Sequence, residues 1–273
     1  MVRGLRTVGA AVAALLAWAV LIEPRRLVVR RREIEVDWPL ELDGLTIACL
    51  SDLHAGAPHV QDRRVRRVVR RVAALDADLI ALLGDYVDPL QRLSRRVPPH
   101  VVAARLAHLR APLGVWAVLG NHDWAGEGEW MPRALHAARI TVLQDEGLQT
   151  GRGLFVAGLS DLRTREPDVE AALAGAPADA ALLVLTHDPD LLLRLPDRPL
   201  LALAGHTHGG QVNVPGLRAL VTPTRHGYRY GEFREGRRVL FVTGGVGTAG
   251  WPVRFLRPPE IVLLTVRARK GSS

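Results

Sequence analysis

The sequence is poor in cysteine and in aromatic residues. Cys49 is the single cysteine among 273 residues, which excludes an intramolecular disulfide. Its place inside an apolar run indicates a buried core thiol. Phe, Trp and Tyr together make up only 5% of the chain, whereas proteins that bind single-stranded nucleic acid stack the bases on aromatic side chains along a basic groove. This scarcity argues against a nuclease that acts on single strands.

The chain has an excess of positive charge, and nearly all of its basic residues are arginine. Its net charge is +8, a value that can indicate a nucleic-acid partner. Residues 1–36 hold seven arginines and three glutamates, a net +4, so half of the excess lies in this short segment. We therefore expect no nucleic-acid partner from the charge alone.

The N-terminus contains one uncharged apolar run, residues 8–22. As a helix these 15 residues would span about 22 Å, less than the ~30 Å hydrocarbon core of a bilayer. A cleaved signal with Ala17-x-Ala19 at the cleavage site is one interpretation, but the following Val20, Leu21 and Ile22 favour an uncleaved anchor. We expect residues 1–36 to be an N-terminal anchor with a basic linker in the cell membrane, and residues 37–273 to be the catalytic domain.

Polar clusters follow five strand-like apolar runs, at residues 47–50, 79–83, 115–119, 181–185 and 200–204. The clusters are Asp52-Leu53-His54, Gly84-Asp85, Gly120-Asn121-His122-Asp123, Thr186-His187-Asp188 and Gly205-His206-Thr207-His208. Taken singly, most of these clusters are as well explained by a solvated turn. Five in succession, each at the carboxyl end of a strand where α/β proteins bind ligands, predict a shared site.

These ordered motifs resemble the signature of calcineurin-like metallophosphoesterases. The resemblance covers residues 40–267 and is closest to the bacterial YaeI/YkuE-like phosphodiesterase branch. It includes Gly84-Asp85-x-x-Asp88, His187-x-Pro189-Asp190, Gly205-His206-x-His208-Gly209-Gly210-Gln211, Gly244-x-Val246-Gly247 and Arg257-Pro258-Pro259-Glu260. The resemblance implies a four-layer α/β/β/α sandwich, which follows the N-terminal apolar helix.

The resemblance also implies two divalent metal ions that share one carboxylate. The ligands of the first ion would be Asp52, His54, Asp85 and His208. The ligands of the second would be Asp85, Asn121, His187 and His206. Mixed oxygen and imidazole ligands suit Mn, Fe or Zn better than Ca. His122 would donate a proton to the leaving group, with Asp123 as its orienting partner. Asp88 would support the metal ligands without binding an ion itself.

The implied activity is phosphoester hydrolysis by a phosphodiesterase or pyrophosphatase. The anchor favours a lipid-linked substrate such as UDP-2,3-diacylglucosamine, while a nuclease or cyclic-nucleotide phosphodiesterase and a non-catalytic metal-binding protein are the alternatives. Arg225, His226 and Tyr228, in the segment 222–231, are candidate substrate contacts, although the sequence alone slightly favours a surface hairpin loop for that segment. The sequence predicts neither the oligomeric state nor the side of the membrane: five arginines after the apolar run favour the cytoplasm, whereas exported relatives favour the opposite side.

Two further patterns bear on the structure. After Gly210, extended runs at residues 211–214, 239–243 and 261–266 predict a second sheet. Between Arg63 and Val72, valines recur at i, i+3, i+4 and i+7, which predicts a helix packed through its valines. Its remaining surface is covered by arginines, which form either a solvated face or a contact with anionic headgroups.

Overall fold

A computed structural model of the chain describes residues 2–88, 93–124, 130–217, 219 and 223–269. The twelve strands of this described part lie in two sheets of six strands each. In spatial order, sheet 1 contains β1 (Val28–Val36), β12 (Glu260–Ala268), β2 (Thr46–Leu50), β3 (Leu79–Leu83), β4 (Val115–Val118) and β5 (Thr141–Val142). Sheet 2 contains β10 (Gly231–Glu235), β11 (Arg238–Val242), β9 (Leu200–Ala204), β8 (Ala181–Leu185), β7 (Leu154–Gly158) and β6 (Glu146–Gln149).

Helices cover the outer face of each sheet. The described α-helices are α1 (Val2–Ala17), α2 (Asp62–Ala73), α3 (Pro99–Leu106), α4 (Trp130–Ala137) and α5 (Val169–Leu173). Helices α2, α3 and α4 pack on sheet 1 through residues such as Val68, Val102 and Leu135. Helix α5 and the short 3-10 helix Pro189–Arg194 pack on sheet 2 through Ala172 and Leu191.

A third apolar core lies between the two sheets. Ile47 and Leu79 of sheet 1 belong to the same buried cluster as Val156, Leu183 and Leu203 of sheet 2. Because both faces of the central strands are buried, their sequences are continuous apolar runs rather than alternating ones. The three cores establish four layers, α/β/β/α, so the predicted fold is confirmed.

The five strand-like runs all form strands, but the assignment of the tail to a second sheet was only partly right. Strand β11 does join sheet 2, whose other strands mostly precede Gly210. Strand β12 instead returns to sheet 1, between β1 and β2. Residues 211–214 form only an isolated bridge, Val212 to Phe255. Apolar runs identify strands, but they do not encode which sheet a strand joins.

Residues 28–36, expected to be a basic linker, form strand β1 at the edge of sheet 1. It pairs in parallel with β12 along its nine residues. Ile34 and Val36 are buried, while arginines and glutamates occupy most of the other positions. The high charge hid the alternating strand pattern of these residues in the sequence. A catalytic domain that began at residue 37, as predicted, would lack this strand.

The N-terminal helix is longer than the apolar run that predicted it. Helix α1 continues through a π-helical turn, Trp18–Ile22, and a 3-10 turn, Glu23–Arg25. The 20-residue helical stretch Arg6–Arg25 contains an 18-residue window with a mean hydropathy of 1.8, and it is the one described helix long and apolar enough to cross a membrane. Twenty helical residues span about 30 Å, the thickness of the hydrocarbon core. The expectation that this helix is too short to cross a bilayer was therefore wrong.

The end of this helix is fixed to the rest of the protein. The Ala19 carbonyl accepts a hydrogen bond from the Arg254 backbone N–H at 2.9 Å. The buried Glu23 carboxylate accepts from the Arg257 backbone N–H at 2.7 Å and from the Trp18 indole at 3.0 Å. Residues 6–17 of helix α1 are exposed. The helix thus projects from a docked base, which lies on the loop that precedes β12.

Candidate metal centre

The predicted ligands come from both sheets and meet where the carboxyl ends of the sheets face each other. Asp52, Asp85 and Asn121 follow β2, β3 and β4 of sheet 1. His187 and His206 follow β8 and β9 of sheet 2. Backbone hydrogen bonds join these loops: the His54 N–H donates to the Asp85 carbonyl at 2.9 Å. Residues far apart in sequence are thereby held in one buried cluster.

The first ligand group consists of Asp52, His54 and His208, all of them buried. His208 Nε2 lies 3.4 Å from Asp52 Oδ1 and 3.2 Å from His54 Nε2. Two imidazole nitrogens directed at each other, beside a carboxylate, form a donor set that a divalent cation fits. This is the group expected to hold the first ion.

The second ligand group consists of Asp85, His187 and His206. His187 Nε2 lies 3.3 Å from Asp85 Oδ2 and 3.0 Å from His206 Nδ1. The same Asp85 oxygen is 3.5 Å from His54 Nε2 of the first group. The Asp85 carboxylate therefore faces both groups, the arrangement that a shared ligand requires.

Several ligand side chains are oriented by contacts behind them. His187 Nδ1 is 2.7 Å from the Leu83 carbonyl, a contact in which Nδ1–H donates and Nε2 is left free to face Asp85. Asp85 Oδ1 accepts from the His122 backbone N–H at 2.9 Å. The His206 backbone N–H lies 3.1 Å from Asp52 Oδ1. These bonds fix the ring and carboxylate orientations independently of any ion.

Five of the predicted ligands have a left-handed backbone conformation that side chains disfavour. Their φ angles are 50° at Asp52, 46° at His54, 55° at Asp85, 68° at His206 and 50° at His208. Non-glycine residues adopt this region rarely, at a cost of order 1–3 kcal/mol each. Strain concentrated at one cluster of acids and histidines indicates a functional site.

Two glycines allow the backbone to approach the ligands closely. A Cβ on Gly205 would collide with the Ser51 hydroxyl and lie 2.7 Å from Asp52 Oδ2. A Cβ on Gly120 would collide with Asp85 Oδ1. Both positions therefore exclude any larger residue while the carboxylates keep their orientation.

Burial favours the neutral form of three of the four ligand histidines. It lowers the pKa of His54 to about 4 and lowers the pKa values of His206 and His208 well below the ordinary range. These rings are neutral at physiological pH, the form that ligates a metal. Burial, together with the charge of Asp85, raises the pKa of Asp52 to about 6, and a cation beside Asp52 would favour its ionised form.

Unpaired buried atoms test whether the residues fit metal ions. Asn121 Oδ1 is buried and has no hydrogen-bond partner. Orphaned buried acceptors are costly unless a ligand satisfies them. The Asn121 oxygen suits a divalent ion beside the second group. The donor set as a whole fits two such ions.

His122 lies at the edge of both groups, and Asp88 is its neighbour. The His122 ring makes an edge contact with the His54 ring, with 4.7 Å between centroids. His122 Nδ1 is 3.5 Å from Asp88 Oδ1. Burial lowers the pKa of His122, but the contact with the Asp88 carboxylate and the charges of Asp85 and Asp88 outweigh burial and raise it. The ring thus retains a proton to higher pH, as a general acid requires.

Asp123 was expected to orient His122, and that role stays a prediction, because the described hydrogen bonds of its carboxylate are all with the backbone. Its carboxylate accepts backbone N–H groups of Asp85 at 2.7 Å, Tyr86 at 2.8 Å and Gly120 at 3.0 Å. It therefore ties the loops after β3 and β4 together, while Asp88 faces the imidazole. Asp123 lies in a 3-10 turn, Asn121–Trp124, and its side chain points toward the backbone of these loops.

Two residues near the site were not anticipated. Asp161 is fully buried after β7, and burial raises its pKa while the charge of His187 lowers it. An acid that follows an apolar run was the signal used at the other strands, and it was overlooked here. Arg254 is fully buried and lies 3.4 Å from His208 Nδ1. Nothing distinguished it from the other arginines of an arginine-rich sequence.

The three expected substrate contacts have different surroundings. Tyr228 is buried, its ring packs against Phe233, and its hydroxyl donates to Glu235 at 2.7 Å. In this structure Tyr228 is a packing residue, and its contact with a substrate stays a prediction. The side chains of Arg225 and His226 are exposed, and their contact with a substrate stays a prediction. Thr222, in the same segment, lies outside the described residues.

A cleft of about 480 Å³ lies beside the site and contains Arg229, Tyr230 and Arg257 in its wall. The Arg257 guanidinium stacks over the Tyr230 ring at 3.6 Å and donates from Nε to the Gly209 carbonyl at 3.1 Å. Gly209 directly follows His208, so this cationic wall adjoins the first ligand group.

Comparison with known proteins agrees with this geometry. The sequence profile of the calcineurin-like phosphoesterase family matches residues 45–210. The chain belongs to that family. Phosphoesterases of the family bind two divalent metal ions, and the two groups of acids and histidines can hold them. The protein is accordingly a metal-dependent phosphoester hydrolase.

Three curated relatives extend the comparison. The uncharacterized metallophosphoesterase YkuE of Bacillus subtilis is 31% identical, over 84% of this chain and 82% of its own length. A transmembrane protein with a metallophosphoesterase domain from Danio rerio is 31% identical, over 86% of this chain and 57% of its own length. The UDP-2,3-diacylglucosamine pyrophosphatase LpxG of Chlamydia muridarum is 25% identical, over 90% of this chain and 91% of its own length. The similarity to YkuE agrees with the predicted branch of the family.

Proposed function

We propose that this metal-dependent hydrolase is a membrane-anchored phosphodiesterase or pyrophosphatase that cleaves a lipid-linked substrate such as UDP-2,3-diacylglucosamine. The observation that carries its chemistry is the pair of ligand groups that both face Asp85 Oδ2, at 3.5 Å from His54 and 3.3 Å from His187. The substrate class is supported by the docked apolar helix and by the name of the LpxG relative.

In this proposal seven residues hold two divalent ions, most suitably Mn, Fe or Zn. The residues are Asp52, His54, Asp85, Asn121, His187, His206 and His208. When bound, such a pair of ions lowers the pKa of water and neutralises charge on a phosphoryl group. The backbone contacts already described would hold the ligands in this arrangement.

His122 would supply the proton that the leaving oxygen needs. Its ring lies against His54 but keeps a separate contact, with Asp88 Oδ1 at 3.5 Å. Asp88 is itself held by the Ser94 hydroxyl, which donates to Oδ2 at 2.6 Å. Asp88 is therefore a positioning residue that keeps His122 protonated, and His122 is the catalytic residue.

The position of the helix base supports a substrate that resides in a membrane. The base of the helix docks on the loop at residues 249–257, where the backbone N–H groups of Arg254 and Arg257 donate hydrogen bonds to it. The Arg254 guanidinium also approaches His208. The same loop exposes Trp251 and Leu256, with 70% and 53% of their surfaces accessible. An anchored domain would hold its metal centre near the headgroups, where a lipid phosphoester lies. The cleft with Arg229 and Arg257 suits the charged part of such a substrate, since guanidinium groups bind phosphate oxygens well.

The test is a substrate panel with the full-length protein in mixed micelles, loaded with Mn, Fe or Zn. UDP-2,3-diacylglucosamine, a nitrophenyl phosphodiester, cyclic nucleotides and DNA would be compared by kcat/KM. We expect hydrolysis of the small diester and the highest kcat/KM for the lipid. Asp85→Asn should abolish both activities, while Asp62→Asn, which changes a carboxylate at the start of α2 that pairs with Arg66 and Arg105, should leave both intact.

The outcomes separate the alternatives. A kcat/KM higher for DNA or cyclic nucleotides than for the lipid would replace the proposed substrate class and keep the chemistry. Absence of hydrolysis of every substrate by a protein that binds two ions would support a non-catalytic metal-binding protein instead.

A further inference from the structure

The arginines of α2 form one wall of a cleft at the base of the membrane-crossing helix. The cleft has a volume of about 560 Å³, and its lining includes Arg25, His59, Arg63, Arg64, Arg67 and Arg70. Arg25 is the last residue of the apolar helical stretch Arg6–Arg25. The cleft therefore begins where the apolar surface ends.

Specific contacts fix the two walls of this cleft together. Arg64 Nη1 donates to the Arg25 carbonyl at 2.7 Å, and Arg71 Nη1 donates to the Leu27 carbonyl at 3.1 Å. His59 Nε2 lies 3.0 Å from the Pro252 carbonyl, which joins the cleft to the loop at residues 249–257. The cleft has a constant orientation relative to both the helix and the metal centre.

The positive charge of the cleft is largely uncompensated. The one acid of α2, Asp62, pairs with Arg66 and with Arg105 at 2.9 Å. Within the described part of the chain no carboxylate forms an ion pair with Arg25, Arg63, Arg67 or Arg70. Burial and the nearby charges of Arg67 and Arg71 lower the pKa of Arg64 to about 10, and its Nε is buried without a partner. An anion in the cleft would satisfy these groups.

We infer that this cleft binds the headgroups of anionic phospholipids and thereby seats the catalytic domain on the membrane surface. The inference rests on the proposed anchor, because an apolar helix that ends at Arg25 brings the cleft to headgroup level. Trp18, in the helical turn that precedes the one ending at Arg25, is 39% exposed, and the Arg26 guanidinium lies 5.3 Å from its ring. Tryptophan is enriched where membrane proteins cross the membrane–water interface. Continuity with the helix favours phospholipid over nucleic acid as the partner.

The test measures phospholipid binding to the full-length protein in a neutral detergent. Native mass spectrometry would titrate phosphatidylglycerol and phosphatidylcholine onto wild type and onto the triple variant Arg63→Gln/Arg67→Gln/Arg70→Gln. We expect wild type to prefer phosphatidylglycerol, and the triple variant to bind it about 100-fold more weakly, since each arginine near a charged surface contributes about fivefold. The matched control Arg152→Gln/Arg194→Gln/Arg237→Gln removes three exposed arginines elsewhere and should retain the preference.

Hydrolysis of a small phosphodiester by all three proteins checks that each is folded and keeps the proposed function separate from this test. Equal binding of the two lipids by wild type would overturn the inference. So would an unchanged affinity of the α2 triple variant for phosphatidylglycerol, or DNA binding that depends on these arginines without any lipid preference. Fractionation of wild type between membrane and soluble fractions tests the anchor independently.

Discussion

At the scale of single residues, backbone contacts hold the ligand side chains in place. Five ligands adopt positive φ values, and strain of order 1–3 kcal/mol at each must be offset by the surrounding sheets. Asp123 contributes to this by accepting three backbone N–H groups of the loops that carry Asp85 and Asn121. The ligands are thus preorganised, and His122 and Asp88 remain as the pair in which a proton can move.

The first prediction concerns that pair. Asp88 raises the pKa of His122, so Asp88→Asn should lower it. A general acid acts only while protonated, and activity that depends on it falls as pH rises through its pKa. The basic limb of the pH–kcat profile for an alkyl phosphodiester should therefore move to lower pH in Asp88→Asn, with both metal ions retained.

A double variant provides the control. His122→Ala should lose about 10²–10⁴-fold in turnover of the alkyl diester, and adding Asp88→Asn to it should cause no further shift of the basic limb. The loss should be smaller for a nitrophenyl diester, whose leaving group departs as an anion. A shift of equal size with and without His122 would show that Asp88 acts through another group.

At the scale of secondary structure, the sequence predicted the strands that deliver ligands better than those that do not. Strands β2, β3, β4, β8 and β9 are continuous apolar runs because both of their faces are buried. Strand β1 is an edge strand with three arginines, and such strands tolerate charge that conceals their period. Its pairing with β12 joins residues more than 200 positions apart, a contact that local pattern cannot predict.

The second prediction concerns the N-terminal helix. Deleting residues 2–17 removes the exposed part and keeps Ala19, Glu23 and their contacts with the loop at residues 249–257. We expect this variant in the soluble fraction, with unchanged turnover of a small phosphodiester and a lower kcat/KM for the lipid substrate in vesicles. An unrelated 16-residue apolar helix in its place should restore the activity on vesicles. Retention of the shortened protein in membranes would contradict the anchor.

At the scale of the whole molecule, the site exists only where the two halves of the sandwich meet. Sheet 1 supplies Asp52, His54, Asp85 and Asn121, and sheet 2 supplies His187, His206 and His208. The order of motifs in the sequence predicted this set of residues, because the ends of parallel strands share an edge. It could not predict which aspartate faces His122 or that Arg254 lies behind His208, because such contacts depend on loop conformation and on the distant return of β12.

The most direct test of a two-ion centre that spans both sheets is the metal content of Asp85→Ala. The Asp85 carboxylate faces both ligand groups, so its loss should remove both ions and nearly all activity. Asn121→Ala should mainly weaken binding of the second ion. Elemental analysis of the purified full-length variants, beside Asp62→Asn as a surface control, gives ions per chain. We expect two in wild type and in the control, about one in Asn121→Ala and none in Asp85→Ala. Two tightly bound ions in Asp85→Ala would contradict the shared-ligand account.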